Sequence, residues 1–194
     1  YKLVIGFPNY RNSYPGFVKM GWVTKDIMNN YLLVNNPYKL INIYSSNKFI
    51  KLFAPILHIQ KLDCLINKLF CPTITFEEAK VENISLKYDS GKSCIYANCD
   101  WILWRFNYKK EKCFFITHND VKVATCIYLL DYFNGEKVIR IDRIDFINND
   151  NISFKQALAS SIFYLSKKHK DAAFFRIWGQ TGNKINETLK TMAF

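Results

Sequence analysis

Apolar and polar positions fall into blocks of different period along the chain. Leu3-Val4-Ile5 reads as a buried strand that breaks at Gly6-Phe7-Pro8-Asn9. Asn12-Ser13-Tyr14-Pro15 then sets cap-type residues ahead of a proline in the first turn of a helix. Phe17 and Met20 give that helix one apolar side, and Gly21 is its expected stop. Trp22-Val23 and Tyr31-Leu32-Leu33-Val34 read as extended structure, and Asn35-Asn36-Pro37 marks a domain boundary. Leu62, Leu65, Ile66 and Leu69 recur at helical spacing and predict a helix over Pro55–Phe70. Thr75-x-x-Glu78 has the form of a capping box and predicts a second helix from Phe76.

From Lys112 the period shortens to that of strands. Cys113–Thr117 meets Val121–Leu130 across His118-Asn119-Asp120, a turn composition. Asn134-Gly135, a strong hairpin signal, joins that second strand to Lys137–Ile147. The result is a three-stranded antiparallel meander. A long helix follows from Ser153 to about Lys170, opened by a Ser153/Gln156 capping box, with Phe154, Leu158, Ile162 and Leu165 on its apolar face. Ala172–Trp178 reads as a strand broken by Gly179–Gly182, and Asn183–Met192 as a last helix.

Composition narrows the class. The 194 residues are 49% hydrophobic and 16% aromatic, enough to bury a sizeable core and to exclude general disorder. No apolar run approaches the roughly 18–20 residues that span a bilayer, so no membrane partner is expected. Tyr1 is not an initiator and no signal segment precedes the first strand, which reads as a piece of a longer protein. Cys64, Cys71, Cys94, Cys99, Cys113 and Cys126 contain no C-x-x-C pair and meet only three His. They read as reduced, structural cysteines of a cytoplasmic protein without a metal.

The net charge of +11 raises nucleic acid as a partner. The lysines are spread over the chain, however, and the sharpest cluster, Lys167-Lys168-His169-Lys170, closes the long helix, where cations complement its dipole. A solvated basic surface explains the charge better. Other constellations are poor. His58, His118 and His169 have no nucleophile motif beside them, and no phosphate-binding Gly loop is present. Asp142 and Asp145, three apart on a strand, are expected on opposite faces and unable to act as a pair.

The segment Ile5–Trp22, a strand, polar break, short helix and Met-small-aromatic ending, recurs in form at Ile177–Phe194, offset by 172 residues. Its first copy, Gly6-Phe7-Pro8-Asn9-x-x-x-Ser13-Tyr14-Pro15-x-Phe17-x-Lys19-x-Gly21-Trp22, resembles the closing strand–helix–strand section of GNAT-type N-acyltransferases. In particular it resembles a bacterial subgroup with two such units in tandem. Trp101-x-x-Trp104-Arg105-Phe106, ahead of the meander, is similar to the opening of the second unit there. The resemblance implies an α+β (mixed α/β) fold: a central, mostly antiparallel twisted sheet flanked by helices, preceded by the closing strand–helix–strand of an upstream unit. Residues 1–36 would be the remnant of a first unit and 37–194 a second unit.

The activity implied is transfer of an acyl group, acetyl in the first instance, from acyl-CoA to a small-molecule or peptide amine. In that family the pantetheine arm pairs with a strand edge that splays from its neighbour, and the start of the long helix holds the pyrophosphate. A hydroxyl protonates the departing thiolate. Here that helix start reads Asn148-Asn149-Asp150-Asn151-Ile152-Ser153, with no Gly and a carboxylate where phosphate would lie. The second unit therefore reads as a degenerate copy that serves as a lid, a substrate-binding wall or a homodimer surface. The family's proton-donating Tyr is replaced by Phe17, and by Leu189 in the second copy. Tyr14, one turn earlier, is the candidate catalytic residue. Asn9 and Ser13 are candidate contacts to acetyl-CoA, and Trp104 and Arg105 candidate substrate contacts, Arg105 gripping a carboxylate or phosphate. Each also has a structural explanation, as turn, cap or core residues. The alternative function is a non-catalytic module of the same fold that binds a peptide, a sugar amine or a partner protein.

Overall fold

The computed structural model describes residues 14–22, 28–44, 73–80, 111–147 and 152–180. These form, in chain order, α1 (Tyr14–Lys19), β1 (Met28–Val34), α2 (Pro37–Tyr44), β2 (Ile74–Ala79), β3 (Glu111–His118), β4 (Val121–Phe133), β5 (Glu136–Phe146), α3 (Phe154–Lys168) and β6 (Phe174–Gln180). The strands make one sheet in the order β1-β6-β5-β4-β3-β2. All neighbours are antiparallel except β5 and β6, which run parallel and are linked through α3. A parallel pair needs such a crossover, because a tight turn reverses direction. The fold is thus mixed α/β, a mostly antiparallel sheet flanked by helices, as the resemblance implies.

Local chemistry accounts for the meander. Asn119 and Asp120 both take positive φ, 50° and 61°, as do Asn134 and Gly135, 48° and 81°. Two consecutive left-handed residues make the turn whose twist matches antiparallel strands, and Asn, Asp and Gly tolerate that backbone best. Helix α1 ends where Gly21 takes φ 82°. The Trp22 amide donates to Phe17 O at 3.1 Å, that of Gly21 to Val18 O at 3.0 Å, and the Phe17 and Trp22 rings meet edge to face at 4.7 Å. Paired bonds of this kind with an apolar clasp satisfy the last carbonyls of a helix. Asn36 caps α2, accepting from the Lys39 amide at 3.3 Å, so Asn35-Asn36-Pro37 is a strand-to-helix junction.

Helix α3 lies against one face of the sheet. Leu158, Ile162 and Leu165 are buried with Phe114, Ile116, Ala124, Cys126, Tyr128, Ile139, Ile141, Phe175 and Ile177, and Phe154 packs at the rim. This core repeats the alternation of each strand, every second residue turning toward the helix. On the other face α2 sets Leu40 and Ile43 against Val138, Ala173 and Phe174, and the Lys39–Glu136 ion pair at 3.0 Å ties it to β5. Cys113 and Cys126 are buried thiols, and Cys113 Sγ donates to Ala79 O at 3.0 Å. Burial pushes the Cys126 thiol far above its ordinary value, so it stays a neutral core group.

Three expectations are corrected. Residues 74–79 are a strand, not the start of a helix: β2 pairs with β3 from Ile74↔His118 to Ala79↔Cys113. Ile74 is buried and Phe76 half-buried while Thr75 and Glu77 are exposed, so cross-strand burial outweighed the local capping pattern. Gly179 does not break the last strand; it lies within β6 and pairs with Asn29. Asp142 and Asp145 do share a face. Ile127 pairs with Arg143 and Tyr128 with Ile141, which leaves Asp142 as an extra residue in β5. One extra residue inverts the alternation beyond it. Ile141 and Ile144, three apart, both enter the core, and Asp142 and Asp145 both turn to the face away from α3.

The predicted helices at 55–70 and 183–192 lie outside the described residues.

Candidate functional site

The parallel strands β5 and β6 stay together only briefly. Their register covers Ile139↔Phe175, Arg140↔Arg176 and Ile141↔Ile177. Beyond Ile141 the β5 strand runs on to Phe146 and β6 to Gln180 without pairing to each other. The extra residue Asp142 sits where they part, as expected of a bulge, which bends its strand and ends local pairing. The resulting cleft is lined by Ile141, Asp142, Arg143, Ile144, Phe154, Leu158 and Ile177, so the first turn of α3 forms one wall. It encloses only ≈ 10 Å³, room for about one water.

The start of α3 is closed by its own side chains. Ser153 Oγ accepts from the Gln156 amide at 3.2 Å, and Gln156 Oε1 accepts from the Ser153 amide at 2.8 Å. These two donors are already satisfied, where an anion would need them open.

The face of β5 turned away from α3 is charged. The guanidinium of Arg140 holds Asp142 through two bonds, 2.6 and 3.1 Å, with Asp131 4.0 Å away. Arg176, the neighbour of Arg140 on β6, donates to Asn30 Oδ1 at 3.2 Å. Arg143 Nε lies 2.5 Å from Asp145 Oδ2. Burial raises the Asp145 carboxyl above the usual carboxylate range, and the neighbouring Arg143 offsets this only in part. Sequence reasoning passed over it because the bulge, which decides its face, is written in cross-strand register.

Of the residues named from the sequence, Tyr14 is the first residue of α1. Asn9, Ser13, Trp104 and Arg105 lie outside the described residues. Among the described residues no group of His, Cys, Asp and Glu is placed to hold a metal, and no helix is long and apolar enough to cross a membrane.

No family model matches the chain, and no curated protein matches it. Solved structures do. A functionally unknown conserved protein from Staphylococcus epidermidis ATCC 12228 is 8% identical with a TM-score of 0.50, over 96% of this chain. The chain spans 63% of that protein's length. A possible acetyltransferase from Clostridium difficile 630 is 16% identical over 63% of this chain and 90% of its own, with a TM-score of 0.43. An aminoglycoside N-acetyltransferase in complex with CoA is 11% identical over 88% of this chain and 90% of its own, with a TM-score of 0.37. At these identities the likeness concerns the fold alone.

Proposed function

We propose that the chain is the C-terminal part of an N-acyltransferase that moves an acyl group, acetyl in the first instance, from CoA to an amine. The observation that supports this reading is the parting of β5 from β6 beyond Ile141 and Ile177. A strand edge left open in this way offers backbone amides and carbonyls at the spacing a pantetheine arm can pair with. In this reading residues 1–36 finish an upstream unit, where Tyr14 protonates the departing thiolate and Asn9 and Ser13 touch the cofactor. Residues 37–194 form a second unit that has given up phosphate binding and serves as a wall for the acceptor, with Trp104 and Arg105 on that surface. The acceptor is a small-molecule or peptide amine.

The test is release of free CoA thiol from acetyl-CoA by the intact protein, with a panel of amines. The expected result is amine-dependent release that falls at least about tenfold in Tyr14→Phe, in line with loss of a general acid. This 194-residue chain alone is expected to be weak or inactive. Acyl transfer by this chain at enzymatic rates would overturn the division of roles.

A second reading is favoured by the self-capped start of α3 and the small cleft: a non-catalytic module of the same fold. Absence of CoA binding in the intact protein, together with binding of another ligand, would decide for it.

A further inference from the structure

Strand β5 carries a tandem triplet, Arg140-Ile141-Asp142 followed by Arg143-Ile144-Asp145. A strand alternates its faces with period two, so a repeat of three cannot keep one phase. Ile141 and Ile144 are nevertheless both buried in the core beneath α3. One extra residue at the junction of the triplets reconciles the two periods, and either Asp142 or Arg143 would serve. The register selects Asp142: Arg143 is paired with Ile127, and Asp142 is passed over.

Each triplet also ties its own ends together. Arg140 donates to Asp142 through Nε at 2.6 Å and Nη2 at 3.1 Å, and Arg143 Nε lies 2.5 Å from Asp145 Oδ2. Forked, charge-assisted bonds of the first kind are among the strongest that side chains make. Only 11% of the Asp142 side chain is exposed, so the fork holds a carboxylate that has given up most of its water. It spans the point where the strands part, since Arg140 still pairs with Arg176 and Ile141↔Ile177 is the last rung. The two arginines are drawn opposite ways, Arg140 to Asp142 and Arg176 to Asn30 on β1.

We propose that Arg140 is a positioning residue: by gripping Asp142 it fixes the extra residue there rather than at Arg143, and this keeps β5 parted from β6 beyond Ile141. With Arg143 passed over instead, Asp142 would join the ladder and bring a further rung with β6 into reach. The use of the open edge by a pantetheine arm rests on the acyl-transfer reading; the positioning role does not.

The test follows amide hydrogen exchange by NMR in this chain and its variants. Deleting Asp142 brings the two isoleucines into one phase, while Asp142→Ala removes the grip and leaves the length unchanged. With the deletion, the β6 amides past Ile177 that point toward β5 should exchange at least about tenfold more slowly than in the parent. Asp142→Ala should slow exchange at the next rung alone, and Asp142→Asn, which still accepts from Arg140, should match the parent. Loss of a merely structural ion pair loosens a sheet and speeds exchange, so the slowing is specific to closure of the split. Glu77→Gln, which removes the exposed pair with Lys122, should leave these amides unchanged. Unchanged or faster exchange past Ile177 in Asp142→Ala would overturn the proposal, whether or not the deletion variant folds. Closure of the split that leaves CoA-thiol release by the intact protein undiminished would keep the proposal and sink the acyl-transfer use of this edge. Release lost while the split stays open would do the reverse.

Discussion

The Tyr128 hydroxyl lies 3.5 Å from Nε2 of His169, inside the protein at the C-terminal end of α3. Tyr128 is 1% exposed and His169 8%. Burial pushes the Tyr128 phenol up to about 12. The imidazole moves the other way: burial first, then Lys168, Lys112 and Lys137, hold it below the usual His value, and only Asp171 opposes them. Both groups are therefore neutral in the native state, and the contact is one between neutral partners.

This fixes a direction for acid stability. As pH falls below about 6.5 the unfolded chain takes up a proton on this histidine that the folded chain resists. Stability held above that value is accordingly lost as pH falls toward the lower folded pKa. Melting temperatures at pH 7.5 and 5.5 should show a fall that is smaller in His169→Gln than in the parent chain. An equal or larger fall in the variant would contradict the assignment.

Asn35 joins the early part of the chain to the late part. Its side-chain amide donates to His169 O at 3.0 Å and to Ala172 O at 2.8 Å, while its backbone amide donates to Ala173 O at 2.9 Å. Asn35→Asp keeps the shape and turns the donor into an acceptor facing two buried carbonyls. A loss of about 2–4 kcal/mol is expected in urea unfolding, from two buried acceptors left bare. A loss under about 0.5 kcal/mol would show that water replaces the amide there.

The reciprocal cap at Ser153 and Gln156 supports the start of α3. Ser153→Ala should cost about 1 kcal/mol, which is roughly 2–4 °C in Tm for a chain of this size. If the cap also shuts out anions, the variant gains pyrophosphate affinity measurable by calorimetry. A cap whose removal changes neither Tm nor anion binding would refute both roles.

Much of this architecture could be read ahead of the structure where a few neighbouring residues carry the signal. Asn134-Gly135 needs only its own backbone preference to make a hairpin, and Ser153 with Gln156 needs only the turn between them. The strand at Ile74–Ala79 escaped because Thr75 and Glu78 suit a helix start locally, and pairing with β3 reversed that choice. The site was less legible still. Asp145 turns to the face away from α3, and only the register of β4 with β5 decides that. That register depends in turn on Asp142, the extra residue, and nothing in its type announces a bulge. Asn9, Ser13, Trp104 and Arg105, by contrast, rest on resemblance alone.

The pairing of β1 with β6 has a temporal side. Met28–Val34 leaves the ribosome roughly 140 residues ahead of its hydrogen-bonding partner Phe174–Gln180. At a translation rate of roughly 5–20 residues per second, that strand waits about 7–30 s with its ladder unmade. Over that interval Leu32, Leu33 and Val34 are open to other strands in the cell. Among the described strands β1 therefore waits longest for its partner, open meanwhile to chaperones and to misassembly on the ribosome.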